Sequence, residues 1–148
     1  MSRSNLQFSQ TIEYALRAAV WLADHEGGQT TQQIAEATQV PASYLSKVLQ
    51  GLRRAGLVIG QRGQGGGFTL ARPAAEISVL DVMDAVEPTR RIETCPLGIP
   101  SHGVRLCPLH RKLDDALGHL AKVFADTSLA ELVGTRGKLR PLCPVQGG

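Results

Sequence analysis

The chain has 148 residues, with 16 Lys and Arg against 13 Asp and Glu, a formal net charge of +3. Its 43% apolar and 20% charged residues are the make-up of a globular domain and exclude a disordered or fibrous chain. No apolar run reaches the ~18 residues of a membrane span and Met1–Gln7 has no apolar signal core, so a cytoplasmic protein with no membrane partner is expected.

In chain order, Ser9–Ala23 predicts an amphipathic helix with Ile12, Leu16, Ala19, Val20 and Ala23 on its apolar stripe. Thr30 and Thr31 are N-cap candidates for a short helix through Ala37. Gln39 and Val40 make a tight connection to a third helix that begins at Pro41, buries Leu45, Val48, Leu49 and Leu52, and stops near Gly56. Ile34 and Ala35 packing on Leu45 and Val48 make this a helix-turn-helix. Leu57–Ile59 and Phe68–Leu70 are β-prone runs on either side of a glycine-rich stretch, the pattern of a hairpin or wing. Ser78 and Asp81 begin a fourth helix through Val86 in the manner of a capping box. Glu87–Leu106, with Pro88, Pro96, Gly98, Pro100 and Gly103, reads as a long loop. A helix over Pro108–Phe124 follows, with the stripe Leu113, Leu117, Leu120 and Phe124 available to a dimer. Ser128 to Glu131 caps a last short helix, and a basic tail begins at Gly134.

Charge placement says more than net charge. No acidic residue lies between Glu36 and Glu76, whereas Lys47, Arg53, Arg54, Arg62 and Arg72 all do. Such a one-sign block suits a phosphate-contacting surface, with an ordinary solvated face as the plainer reading. The third helix would put Ser43, Tyr44, Ser46 and Lys47 into a major groove, Tyr44 alternatively being a core aromatic. Arg53 and Arg54, near its end, would meet phosphate or solvent. Arg62 would enter a minor groove from the wing tip, with Gly63 and Gly65 giving the loop room to approach. The glycines lack the lysine of a nucleotide-binding phosphate loop. His25 and His119 read as surface helix residues.

The run Pro41-Ala-Ser-Tyr-Leu-Ser-Lys-Val-Leu-Gln-Gly-Leu-Arg-Arg-Ala-Gly-Leu-Val, followed by Arg62-Gly-Gln-Gly-Gly-Gly-Phe-Thr-Leu, resembles the Rrf2 family of winged-helix regulators, IscR- and NsrR-like, from about Phe8 to Val133. The resemblance implies a mainly α fold with a small β-hairpin: a winged helix-turn-helix plus a long C-terminal dimerisation helix. It implies a homodimer on a palindromic double-stranded DNA operator, most often acting as a repressor and not as an enzyme. The expected division is a DNA-binding domain over 1–86, a cysteine-containing sensor loop over 87–107, a dimerisation region over 108–133 and a flexible tail over 134–148. The family's usual Glu-Gln after Ser-Tyr-Leu is replaced here by Ser46-Lys47, so operator preferences do not carry over.

Cluster-binding members of that family carry three evenly spaced cysteines in the loop. Here Cys95 and Cys107 match the outer pair, while Ser101 holds the midpoint beside His102. Two thiolates do not complete a 2Fe–2S cluster, and imidazole replaces thiolate on one iron in some proteins. His102 or His110 is therefore expected to join Cys95 and Cys107. The resemblance adds Glu13 of the partner subunit, from the position of an acidic first-helix ligand, whereas Arg17 stands where one relative has a histidine. The expected cofactor is an iron–sulfur cluster, 2Fe–2S in type. The alternatives are a clusterless repressor responding to thiol oxidation or a small molecule, a structural zinc site, and a cysteine enzyme built on Cys107 and His110. Cys143, in the tail, reads as a bystander.

Overall fold

The computed structural model describes residues 8–102, 105–134 and 142, apart from the side chain of His102. The helices are α1 (Gln10–Asp24), α2 (Thr31–Thr38), α3 (Ala42–Arg54), α4 (Val79–Val86), α5 (Pro108–Ala125) and α6 (Leu129–Val133). Strands β1 (Val58–Gln61) and β2 (Gly67–Leu70) form an antiparallel hairpin between α3 and α4, with Val58 opposite Leu70 and Gln61 opposite Gly67. No helix among the described residues is long and apolar enough to cross a membrane.

The ends of the elements follow from local chemistry. Ser9 caps α1 by accepting the N–H of Ile12. Thr30 caps α2 in a full capping box with Gln33, which decides between the two threonines, and Ser78 does the same for α4 with Asp81. Ser128 caps α6 by accepting the Glu131 N–H. Gln39 takes the left-handed conformation that turns the chain from α2 into α3. Of the predicted α1 stripe, Ile12, Ala19 and Val20 are buried as expected and Leu16 and Ala23 are half-buried, while Ala15, Ala18 and Leu22 join the buried side.

One core joins α1, α2, α3, the hairpin and α6, with Ile34, Leu45, Leu49, Leu52, Ile77 and Leu129 as its largest fully buried side chains. The α6 end is stitched back onto the approach to α4 by Val79 N–H to Thr127 O at 2.9 Å and Leu129 N–H to Ile77 O at 2.9 Å. The wing is stitched to the α1–α2 connection. Gln29 and Phe68 exchange backbone hydrogen bonds at 3.0 and 2.7 Å, and the Trp21 indole donates to the Gln29 side chain at 3.3 Å. Gly67, at φ +124°, brings its backbone so close that a Cβ would lie 2.5 Å from Gln29 O. His25 is not a bare surface residue, since its ring stacks on Trp21 at 3.6 Å and its Nδ1 lies 2.8 Å from Trp21 O.

Helix α5 buries no residue to the depth of the core. Its inner side, with Leu117, Ala121 and Phe124 half-buried, faces α1 and α4 across an apolar cavity of about 610 Å³, and Phe124 meets Phe8 edge-on at 5.7 Å. The predicted stripe divides: Leu113 and Leu120 are exposed together with Leu109, Ala116 and Val123, Leu117 and Phe124 are half-buried, and Leu120 also lines the cavity.

Two substitutions separate conformational from packing roles for the wing glycines. Gly65, at φ +72° with open space around it, should lose about 1–2 kcal/mol on change to Ala, the penalty for an L residue in the left-handed region. Gly67→Ala should cost roughly 3 kcal/mol or more, because strain is joined by collision with Gln29. Urea unfolding measures both; equal losses would contradict the seating of the wing on Gln29.

Candidate nucleic-acid interface and cysteine loop

Burial of Leu45, Val48, Leu49 and Leu52 fixes which side of α3 meets water. Ser43, Ser46, Lys47 and Arg54 lie on that exposed side, and Arg53 is exposed at the helix end. Gln50, which the sequence reading passed over, shares the strip. Its spacing of three and four residues from Lys47 and Ser46 is the signal that could have found it. Its amide is the group best suited to pair with an adenine edge. The Ser46 hydroxyl donates back to Ala42 O at 3.2 Å, and Arg54 Nε lies 3.5 Å from Gln50 O. Tyr44 differs from its neighbours. It is half-buried, its ring meets Tyr14 edge-on at 5.1 Å, and its hydroxyl hydrogen-bonds to that of Thr11. The aromatic therefore braces α3 against α1.

Between α3 and the wing lies a concavity of about 270 Å³ lined by Arg53, Gln61, Arg62 and Phe68. Arg53 and Arg62, far apart in sequence, thus flank one hollow. The hairpin tip holds Arg62, Gly63 and Gly65 exposed, with Gly63 at φ +98°. A Cβ at Gly63 or Gly65 would meet open space, whereas one at Gly66 would lie 2.5 Å from Gln61 O. The close approaches within the wing thus belong to Gly66 and Gly67, and Gly63 and Gly65 serve the turn.

In the long loop Cys95 is buried and starts a turn closed by Gly98 N–H to Cys95 O at 2.9 Å. Cys107 is the N-cap of α5, and its Sγ lies 3.3 Å from His110 Nδ1, as the one-turn spacing predicts. Among the described residues no three His, Cys, Asp or Glu side chains are grouped to hold a metal. One protomer's described residues do not by themselves fit a 2Fe–2S cluster, although they bring Cys107 and His110 together. The ligand role expected of His102 lies outside the described side chains, and residues 135–141 and 143–148, Cys143 among them, lie outside the described residues. Glu13 is engaged by Arg17 Nε at 3.0 Å, and Arg17 also reaches Thr38 O at 3.2 Å.

Sequence reasoning missed a contact between the loop and α5. Asp114 accepts both Arg91 Nε and Arg91 Nη2 at 2.7 Å and the Ile92 N–H at 2.8 Å. These bonds, that of Arg91 first and that of Ile92 next, hold the Asp114 carboxyl at about 2, below its ordinary 3.8.

Residues 8–135 match the Rrf2 family model, described as iron-dependent transcriptional regulators. A helix-turn-helix-type transcriptional regulator of Mycobacterium tuberculosis is 34% identical over 135 residues, which span 87% of this chain and 82% of that protein. Among solved structures, IscR of T. potens is 26% identical with a TM-score of 0.73, covering 88% of each chain. CymR, described as the global cysteine regulator of B. subtilis, is 24% identical with a TM-score of 0.72, covering 87% of this chain and 97% of that one.

Tyr44→Phe should lower stability by about 1 kcal/mol through the lost hydroxyl bond and leave affinity for duplex DNA unchanged. A tenfold loss of affinity would instead assign that hydroxyl to the DNA. Because the folded pKa of Asp114 lies below the unfolded one, its stabilisation is complete above about pH 4 and lost as pH falls towards 2. Asp114→Asn should remove that part of the acid limb in a thermal melt series; an unaltered limb would contradict the contact.

Proposed function

The chain belongs to the Rrf2 family of transcriptional regulators, and from that premise we propose that it represses transcription by gripping a palindromic operator as a homodimer, with the cysteine loop as its sensor. The observation that carries this reading is the solvent face of α3. Ser43, Ser46, Lys47 and Gln50 stand there without an acidic neighbour on the helix, beside the hollow that Arg53 and Arg62 share. The α3 strip reads base edges in the major groove, Arg53 holds backbone phosphate, and Arg62 at the tip of the wing enters the adjacent minor groove. Ser46 and Lys47 set the base preference of this chain.

Dimerisation falls to the bare side of α5. Leu109, Leu113, Ala116, Leu120 and Val123 follow one another at alternating spacings of four and three, the repeat of a two-stranded coiled-coil seam. Two copies paired along this seam would set two recognition helices one turn of DNA apart. A small change at the seam then misaligns both half-sites at once.

The sensor ligand proposed is a 2Fe–2S cluster held across the dimer by Cys95, Cys107, His102 or His110, and Glu13 of the partner subunit. Such a cluster supplies a one-electron redox centre when bound. The Cys107–His110 pair at 3.3 Å supports two donors in place at the helix start. Recruitment of the partner's Glu13 requires that carboxylate to leave its own Arg17. The same pair, with no third donor grouped among the described residues, supports thiol oxidation without a cluster as the second reading.

Arg62→Ala should weaken binding to the chain's own promoter fragment about tenfold and lower the salt slope by about 1; unchanged affinity at physiological salt removes the wing from the interface. Leu113→Glu with Leu120→Glu should give a monomer in sedimentation; a surviving dimer would place the interface elsewhere. Protein purified without air should contain iron and acid-labile sulfide, with the visible spectrum lost in Cys107→Ala and altered in Glu13→Ala. A colourless, metal-free protein would leave the thiol reading.

A further inference from the structure

The chain leaves α4 at Glu87, is held back to that helix by the Thr89 N–H on the Asp84 carboxylate at 2.8 Å, and is then caught on α5 through Arg91 and Ile92 before it reaches Cys95. The catch is directional as well as close. Arg91 meets Asp114 as a planar fork on a planar carboxylate, and the Ile92 N–H occupies the same carboxylate from the main chain. Helix α5 makes room for this. Gly118 lies one turn beyond Asp114, and a Cβ there would stand 2.7 Å from Arg91 Nη1 and 2.8 Å from Cζ. Glycine is a poor residue for the middle of a helix. Here it lets the guanidinium lie against the α5 backbone, where any other side chain would push it away.

The position of this contact matters more than its strength. Arg91 is 50% exposed, and exposed ion pairs add little to stability. At about 100° per residue, Asp114 and Gly118 fall on the side of α5 turned away from the Leu109–Leu113–Ala116–Leu120–Val123 seam. The contact therefore stays open in a dimer paired along that seam, and it pulls on the helix from behind.

We propose that Arg91, Asp114 and Gly118 form a clasp that anchors the root of the cysteine loop to α5, so that a displacement at Cys95 passes to the helix and its seam instead of being absorbed in residues 87–94. The anchoring stands on its own geometry. The passing on of a displacement rests on the reading of the loop as the sensor.

The test uses the full-length protein, reduced and desalted, alongside Gly118→Ala, Asp114→Asn and Arg91→Lys. The first displaces the guanidinium without changing charge, the second keeps the shape of Asp114 without its charge, and the third keeps the cation without the fork. Cys95 is 8% exposed, so its reaction with iodoacetamide reports opening of the loop. Followed by peptide mass spectrometry, that reaction should be at least tenfold faster in all three variants, with the melting midpoint within a few degrees of the unmodified chain. Rates equal to that of the unmodified chain overturn the clasp, whatever the loop senses. Operator affinity is then compared before and after alkylation. The unmodified chain should change at least tenfold and the variants less than threefold. A full response in the variants overturns transmission through the clasp alone. An unmodified chain that does not respond overturns the sensor reading and transmission together, while the alkylation rates still decide the anchoring.

Discussion

Ala15, Ala18 and Ala19 give α1 a side with almost no side-chain relief, and it shares one core with the fully buried Leu45, Leu49 and Leu52 of α3. Close approach of this kind holds α3 at one rotation about its own axis, because any turn would expose leucines and bury the charges of the other side. Tyr44 against Tyr14 and Thr11 locks the same angle from the rim. Gly51 does so from behind, since a Cβ there would stand only 3.3 Å from Ala85 O of α4. The disposition of Ser43, Ser46, Lys47 and Gln50 is thus a by-product of apolar packing. The residues that would meet DNA do little to position themselves, which leaves them free to vary without cost to the fold.

The second half of the chain is built on an opposite plan. Helix α5 shares no deep core with the rest of the protomer, is held at its end by the α6 stitching to Ile77 and Val79, and is held along its length by Asp114. Its apolar arc runs from the cavity, lined by Leu117, Leu120, Ala121 and Phe124, round to open solvent at Leu109, Leu113 and Val123. An element this loosely committed to its own subunit is suited to commit to another.

Much of this was legible from residues alone. The caps at Thr30 and Ser78, the four leucine and valine positions of α3 and the glycine-bounded hairpin all follow local rules, and the structure follows them. What was not legible has physical causes. The apolar residues of α5 form one wide arc, from Val123 through Leu113 to Ala121, and periodicity cannot say which part of it a cavity will claim. The sequence left Tyr44 open between a DNA contact and a core aromatic, because the partners that hold it, Tyr14 and Thr11, sit on α1. The Arg91–Asp114 contact joins residues far apart in sequence, one of them in a segment with no period, and no local pattern announces such a pair. The roles of Gly66 and Gly67 were hidden in a run of glycines whose members look alike until the approach of Gln29 distinguishes them.

The pairing of Gln29 with Phe68 has one more consequence. It makes the hairpin an extension of the α1–α2 connection, so the wing and α3 share one frame with no hinge between them. A substitution on the exposed side of α3 and one around α5 therefore fall on separately held parts of the protomer, and neither needs a compensating change in the other to keep its own packing.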